Sequence, residues 1–287
     1  MKPAGLKTKI FLDSGDPEET RAAIAALGFL DGQTTNPTLV ARNPYARERF
    51  EKGDKFTKEE IFDFYRKVVA EVSALVPEGS VSIEVYADQK TTAEEMFAQG
   101  KDMFGWIPNA HVKYPILAAG LEAAEFSVRE GMRVNMTLCF TQAQAAAVYA
   151  ATRGAREGDV FVSPFVGRLD DIGENGMGLI GNIVKMYKSG DGHAQVLSAS
   201  VRTVEHFLYS LALGADIITA PLKILSAWGA AGKPVPNADY RYDTSALKHL
   251  PYTDVDLSHT WREYDIHHAL TDKGIERFAS DWNALIG

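Results

Sequence analysis

The sequence of 287 residues predicts an α/β fold, the (β/α)8 TIM barrel. Short apolar or β-branched runs recur along it, and each is followed by a pattern typical of a helix. Eight such alternations in about 230 residues favour a closed parallel barrel over an open doubly wound sheet. We therefore expect one barrel domain over residues 1–287, with an insertion-like segment at 229–265 and a closing C-terminal helix.

The predicted strands share their short length, their apolar or β-branched content and the turn residues that bound them. In chain order they are KIFLDSG (9–15), GQTTN (32–36), VSIEVY (81–86), HVKYP (111–115), RVNMTLC (133–139), DVFVSPFVG (159–167), AQVLSAS (194–200) and DIITAP (216–221).

Helical patterns lie between these strands and show capping residues at their ends. DPEETRAAIAALG (16–28) carries a proline and two glutamates in its first turn, and TVEHFLYSLALG (203–214) opens on a threonine and ends at a glycine. Further helices are predicted at 59–75 and, in LTDKGIERFASDWNALI, at the end of the chain.

Two stretches fall outside the alternation. Residues 41–60 are highly charged and are predicted to form a solvated loop that leads into the helix at 59–75. Residues 229–265 carry prolines, tyrosines and a tryptophan with little periodicity. The second stretch is interpreted as either a lid or a subunit contact, which leaves a homo-oligomer open.

Composition and charge exclude several classes of protein. The net charge of −8 and the pI of about 5.4 disfavour nucleic acid as a partner, because its phosphates would be repelled. The sequence lacks a long apolar run and a signal-peptide core, so we expect a cytoplasmic protein without a membrane span. Cys139 is the only cysteine, and His259, His267 and His268 lack the spacing of a metal motif, so no metal is expected.

Polar residues cluster at the ends of the predicted strands, where a barrel of this kind builds its active site. They come from seven different predicted strands and are Asp13, Asn36, Glu84, Lys113, Asn135, Thr137, Ser163, Arg168, Ser200 and Arg202.

Lys113 is the most unusual of these residues because it interrupts an apolar strand. A free lysine is almost fully protonated at neutral pH, and apolar surroundings disfavour an ammonium group. Lys113 is therefore a candidate Schiff-base nucleophile. The alternative is a buried ion pair with Glu84 or Asp13 that performs no chemistry.

Two arginines suggest a site for a phosphate. Arg168 follows the sixth predicted strand and Arg202 the seventh, beside Ser200, in the region where many such barrels hold a phosphate. Guanidinium groups and a hydroxyl suit a phosphomonoester. The alternative is a pair of surface salt bridges, for instance between Arg168 and Asp170 or Asp171.

Ordered strings across nearly the whole chain outside 41–60 and 229–265 carry a resemblance to a known family. They are FLDSGD, GFLDGQTTNPTLVAR, VSIEV, VKYP, RVNMTLCFTQAQA, VSPFVGRLDDIG, VLSASVRT, GADIITAP and LTDKGIERFASDW. With these strings the chain resembles the transaldolase family, together with its shorter relatives that act as fructose-6-phosphate aldolases.

The resemblance implies a Schiff-base mechanism that needs no metal or organic cofactor. Lys113 would attack the C2 carbonyl of a ketose phosphate, and Asp13 would take the proton of the C4 hydroxyl as the C3–C4 bond breaks. Glu84 and Thr137 would hold a water for the proton transfers of Schiff-base formation.

The resemblance also implies how a sugar phosphate such as fructose 6-phosphate or sedoheptulose 7-phosphate is held. Asn36 and Asn135 would bind the hydroxyls of the dihydroxyacetone unit. Arg168, Ser200 and Arg202 would clamp the distal phosphate. The implied setting is carbohydrate metabolism, in the pentose phosphate pathway, with small sugar phosphates as the partners.

Two residues bear on whether the unit is transferred or released. This chain resembles transaldolases at two positions, where it has the glutamate Glu84 and the phenylalanine Phe165. The aldolase relatives tend to carry glutamine and tyrosine at these two positions. A tyrosine could supply the proton that releases dihydroxyacetone, and Phe165 cannot. We therefore expect a transferase, with Ser163 in the substrate-binding set. The alternatives are a fructose-6-phosphate aldolase and a non-catalytic sugar-phosphate-binding barrel.

Departures from the family's pattern lie next to the nucleophile. Tyr114 follows Lys113 where a branched aliphatic residue is more usual, and ILAAG replaces the more typical lead into the glycine. They put the substrate range in doubt more than the mechanism.

Overall fold

The computed structural model describes residues 1–237 and 239–287, and its central feature is a closed barrel of eight strands. Each strand pairs in parallel with the next along the chain, and the eighth returns to the first. The predicted (β/α)8 barrel is therefore confirmed. The strands are β1 (Lys9–Asp13), β2 (Gly32–Thr34), β3 (Ser80–Glu84), β4 (Ala110–Pro115), β5 (Val134–Cys139), β6 (Val160–Pro164), β7 (Ala194–Ser198) and β8 (Ile217–Ala220).

Helices surround the barrel and occupy most of the connections between strands. They are α1 (Pro17–Leu27), α2 (Pro37–Ala41), α3 (Pro44–Glu51), α4 (Lys58–Leu75), α5 (Ala93–Phe104), α6 (Ala118–Arg129), α7 (Gln142–Ala151), α8 (Val166–Asp170), α9 (Gly176–Tyr187), α10 (Val204–Leu213), α11 (Leu222–Ala230) and α12 (Ala269–Ala284).

The ends of these helices confirm the capping predicted from sequence. Asp16 accepts a hydrogen bond from the backbone of α1, and Thr203 does the same for α10. Both helices end at a glycine with positive φ, 76° at Gly28 and 76° at Gly214. Thr57 and Glu60 form a capping box at the start of α4.

The prediction of a loop over 41–60 is wrong, because α3 lies within this stretch. Asn43 caps α3 through its side chain, which accepts from the backbone N of Tyr45 at 3.0 Å. Phe56 is buried, and the guanidinium of Arg49 lies 4.0 Å from the centre of its ring. The charged side chain of Arg49 therefore packs against the buried ring of Phe56. The high charge of this stretch favours a loop prediction, although the stretch contains a short capped helix.

Several predicted strands end earlier in the structure than in the sequence prediction, because the chain turns at the mouth of the barrel. Asn36 caps α2, and its side chain accepts from the backbone N of Leu39 at 2.9 Å. Ser200 adopts a left-handed conformation with φ of 57° beyond β7. These turns direct polar residues over the barrel opening.

Aromatic side chains fill the opposite, N-terminal end of the barrel. The ring of Phe161 stacks on His111 with centroids 4.1 Å apart and meets Phe11 edge to face at 6.1 Å. Burial lowers the pKa of His111 to about 3, so its ring is neutral at physiological pH. These rings therefore pack inside the barrel at the end opposite the polar strand ends.

The segment from 229 to 265 packs on the outer layer of helices and contains one short 3-10 turn at Trp261–Glu263. The side chain of Gln142 pairs with both backbone groups of Thr253, at 3.0 and 2.9 Å. Trp261 donates its indole N–H to Glu125 of α6 at 3.2 Å. The segment leads to α12, which lies across the mouth of the barrel near β5 and α2. Within the described ranges, no helix has the length and apolar character needed to cross a membrane.

Candidate active site

Lys113 lies at the centre of the predicted site, on β4 between Glu84 of β3 and Asn135 of β5 in the strand register. Its side chain is 4% exposed and that of Glu84 is 3% exposed. The Lys113 Nζ lies 2.9 Å from Glu84 Oε2 and donates to the backbone O of Thr35 at 3.3 Å. The buried ion pair considered from sequence is therefore present, and its amine faces the barrel mouth cavity rather than bulk water.

Asp13 lies at the end of β1 on the same cavity. Its Oδ1 accepts a hydrogen bond from Thr34 Oγ1 at 2.7 Å, and Thr34 is in turn 2.7 Å from the hydroxyl of Thr219. Loss of hydration raises the pKa of Asp13, and the charges of Lys113 and Arg42 partly oppose that rise. A carboxylate with a raised pKa is a stronger base than a solvated aspartate, which suits proton transfer.

Tyr65 of α4 contacts the backbone of Glu84. The sequence did not predict that Tyr65 belongs to the site. Tyr65 Oη accepts from the backbone N of Glu84 at 3.0 Å and contacts Thr35 Oγ1. Because Thr35 donates its own proton to Ser82 O at 2.7 Å, Tyr65 donates to Thr35. One buried hydroxyl thus ties together both residues that contact the Lys113 amine.

We expect Tyr65→Phe to lower the free energy of unfolding by about 1–3 kcal/mol, because the buried N–H of Glu84 loses its acceptor. Urea unfolding followed by far-UV circular dichroism measures the change. Tyr45→Phe is the matched control, since Tyr45 is 53% exposed. Equal stability of the two variants would contradict this account.

Asn135, Ser163 and Thr137 form the inner polar layer. Ser163 donates to Asn135 Oδ1 at 2.6 Å, and Asn135 Nδ2 donates to the hydroxyl of Ser82 at 3.0 Å, so this amide is fixed in orientation. Thr137 Oγ1 is buried without a hydrogen-bond partner among the described residues. It precedes Leu138, which has φ of 62° within an irregularity of the β5–β6 pairing.

Burial raises the pKa of Glu84, and the neighbouring charge of Lys113 opposes the rise. Glu84 Oε2, like Thr137 Oγ1, makes no aligned hydrogen bond with the described protein groups, although it is within ion-pair distance of the amine. The two oxygens therefore offer free acceptor capacity beside Lys113, which a water or a substrate hydroxyl would fill.

The arginines lie at the outer part of the cavity, and the salt-bridge alternative applies to only one of them. Arg202 makes two hydrogen bonds to the carboxylate of Asp171, at 2.7 and 2.6 Å. Among the described residues, Arg168 has no carboxylate within ion-pair distance, and Asp170 instead lies 2.8 Å from His206. The Arg168 guanidinium is 5.1 Å from the ring centre of Phe165.

The cavity at the barrel mouth has a volume of about 200 Å³ and joins most of the predicted residues. Its lining includes Asp13, Asn36, Lys113, Ser163, Phe165, Arg168, Ser200 and Arg202. Glu84, Asn135 and Thr137 are not part of this lining. Glu84 contacts the lining residue Lys113, and Asn135 contacts the lining residue Ser163.

Further lining residues were not predicted, and Arg42 and Arg277 are the charged ones. Arg42 follows α2 and Arg277 lies on α12. Arg42 stands within one of the strings that carry the family resemblance, which is a signal that could have found it. Nothing in the local sequence of α12 shows that this helix crosses the barrel mouth.

In the part of the chain that is described, no group of three or more His, Cys, Asp or Glu side chains is arranged to hold a metal ion.

Comparison with known proteins shows the family to which this chain is similar. The family model described as transaldolase/fructose-6-phosphate aldolase matches residues 10–287. This chain belongs to the transaldolase/fructose-6-phosphate aldolase family. A probable transaldolase of Dehalococcoides mccartyi is 37% identical over 277 residues, which cover 96% of this chain and 99% of that one.

Other relatives in the transaldolase/fructose-6-phosphate aldolase family match over similar lengths. Probable transaldolases of Herpetosiphon aurantiacus and Bacteroides thetaiotaomicron are 36% and 34% identical, and they cover 96% and 97% of this chain. The shares of those relatives that are covered are 96% and 100%.

Proposed function

We propose that the protein is a transaldolase that transfers a dihydroxyacetone unit from a ketose phosphate to an aldose phosphate. Fructose 6-phosphate and sedoheptulose 7-phosphate are the proposed donors, as in the pentose phosphate pathway. The observation that carries the proposal is the buried amine of Lys113, 2.9 Å from Glu84 Oε2, in a cavity that also contains Asp13 and the arginines. The family membership supports the same assignment.

The first step joins the donor to Lys113. The Lys113 ammonium first passes a proton to the carboxylate of Glu84, and the neutral amine then attacks the C2 carbonyl. The resulting carbinolamine loses water to give an iminium ion. A proton must reach the departing hydroxyl, and the carboxyl of Glu84 at 2.9 Å is placed to pass it, directly or through a water shared with Thr137. The unpartnered oxygens of both side chains support this role.

The second step breaks the C3–C4 bond. Asp13 removes the proton of the C4 hydroxyl, C4 becomes the aldehyde of the leaving aldose phosphate, and the electron pair of the bond moves into the iminium to form an enamine. Asn36 and Asn135 hold the hydroxyls of the bound unit. An acceptor aldehyde then receives the enamine carbon, and Asp13 returns its proton to the new C4 oxygen.

The phosphate lies at the arginine end of the cavity in this proposal. Arg168 offers a guanidinium that no described carboxylate neutralises, and Ser200 provides a hydroxyl on the same lining. Arg202 reaches the site with its orientation fixed by the two hydrogen bonds to Asp171.

Phe165 favours transfer over release. It lines the cavity and packs edge to face on Phe140 with centroids 5.9 Å apart, so an apolar ring lies where a hydroxyl could protonate the enamine. An enamine that is not protonated stays bound to Lys113 until an acceptor aldehyde binds. The second candidate, a fructose-6-phosphate aldolase, would release free dihydroxyacetone instead.

The test is incubation with fructose 6-phosphate alone and then with erythrose 4-phosphate as the acceptor. We expect less than one equivalent of free dihydroxyacetone per site without the acceptor, and sedoheptulose 7-phosphate in many turnovers with it. Steady release of dihydroxyacetone over many turnovers without an acceptor would overturn the transferase in favour of the lyase.

We expect Phe165→Tyr to shift this balance toward release. The added hydroxyl can donate a proton to the enamine, so free dihydroxyacetone should form about tenfold faster than in the unmodified protein. Phe140→Tyr is the control, since its ring packs on Phe165 and does not line the cavity. No gain in dihydroxyacetone from the Phe165 variant would contradict the role assigned to this ring.

A further inference from the structure

We propose that Arg277 of α12 is a further phosphate-binding residue that sets the preference for phosphorylated over unphosphorylated sugars. The inference rests on the proposed function and adds a specificity residue to that site. Arg277 lines the cavity together with Arg168, Ser200 and Arg202, although it comes from the C-terminal helix rather than from a strand end.

The position of α12 over Arg168 is fixed by close contacts. A Cβ at Gly274 would lie 2.7 Å from Arg168 Nη1 and 2.6 Å from the side chain of Leu138, so a larger residue there would require both side chains to move. The guanidinium of Arg168 is 5.3 Å from the ring centre of Phe278. Thr271 Oγ1 donates to Leu138 O at 3.0 Å. These contacts hold the helix turn that bears Arg277 against the arginine end of the cavity.

Arg277 itself is only loosely held. Its Nε lies 3.7 Å from Asp281 Oδ2, which is beyond hydrogen-bond distance, and its side chain is 59% exposed. That carboxylate oxygen already accepts a hydrogen bond from Thr38. Arg202, by contrast, makes two short hydrogen bonds to Asp171. Arg277 thus keeps most of its donors available for a ligand.

The charges of Arg168 and Arg277 oppose each other. Burial is the main cause that lowers the pKa of Arg168, and the positive charge of Arg277 is the next. Two neighbouring cations are disfavoured unless an anion lies with them, and this local excess of positive charge stands in a chain of net charge −8. A phosphomonoester dianion would relieve the repulsion and accept hydrogen bonds from both guanidinium groups.

Arg42 is the other arginine of the cavity lining that was not predicted. It follows α2, and its charge acts on Asp13, where it partly opposes the rise of that pKa. Arg277 is the one of the two whose charge acts on Arg168.

The experiment compares Arg277→Gln with Arg277→Lys and with Lys273→Gln. Lys273 lies on the same helix, is exposed and does not line the cavity, so its variant controls for a change of charge on α12. For each protein, kcat/KM is measured with fructose 6-phosphate and with fructose, at fixed erythrose 4-phosphate. The dissociation constant of inorganic phosphate is measured by calorimetry.

We expect Arg277→Gln to reduce the ratio of kcat/KM for phosphorylated over unphosphorylated donor about tenfold or more, mainly through KM. Phosphate affinity should fall by a similar factor, and Arg277→Lys should recover part of both. An unchanged ratio and unchanged phosphate affinity in Arg277→Gln, or equal effects in Lys273→Gln, would overturn the proposal. Weakened phosphate binding without transfer in any of the proteins would retain the subsite and reject the transaldolase reaction.

Discussion

Lys113→Arg is expected to reduce transfer by a factor of about 10⁴ or more, because arginine keeps the charge beside Glu84 but cannot form a Schiff base. Sodium borohydride added with fructose 6-phosphate should attach a dihydroxyacetone-sized mass to the unmodified protein. Peptide mass spectrometry should find this mass on the peptide that contains Lys113. The arginine variant should carry none.

The control for this experiment is Lys67→Arg, which changes an exposed lysine outside the cavity. It should retain both the label and the activity. Activity retained by Lys113→Arg, or a label on another lysine, would contradict the assignment. Absence of a label on the unmodified protein would instead support the non-catalytic sugar-phosphate-binding barrel.

Asp13→Asn is expected to lower kcat about 10²- to 10⁴-fold, since an amide cannot take the proton of the C4 hydroxyl. The first step does not need this carboxylate, so borohydride should still trap the donor on Lys113. Thr34 and Lys113 keep their other partners, and circular dichroism should show a folded variant. Loss of trapping in step with loss of turnover would show that Asp13 acts before C3–C4 cleavage and would contradict its assigned step.

The pH dependence of the unmodified protein follows from the same residue. Burial raises the pKa of Asp13 above the ordinary aspartate value, and the base form is the deprotonated one. The kcat/KM should therefore fall as pH falls through this raised pKa, at a higher pH than for a solvated aspartate. The profile of kcat/KM against pH measures this limb, and a limb at the ordinary aspartate value would contradict the raised pKa.

Much of the site could be predicted from sequence because a parallel barrel brings the ends of all its strands together. A polar residue at a strand end, such as Lys113 or Asp13, needs only the correct strand assignment to be placed at the mouth. The ion pair of Lys113 with Glu84 follows from the register of neighbouring strands.

The rest of the site depends on packing between distant elements, which local patterns do not encode. Tyr65 reaches Glu84 from the outer face of the barrel, and its apolar spacing on α4 predicts only a core residue. Arg277 enters the cavity because α12 crosses the opening, and the glycine that allows this, Gly274, is an ordinary helix residue in the sequence. The sequence does not predict the helix at 44–51, because this stretch has several charged residues and few buried side chains.

The way α12 is attached affects how sugars reach Lys113. Thr271 fastens its first turn to Leu138, and beyond its last turn the backbone pairs with Phe56, through Leu285 O at 2.9 Å and Gly287 N at 3.0 Å. Opening of this helix would have to break hydrogen bonds at both of its ends. Reactants that enter beside it pass exposed arginines, whose charge attracts an anion.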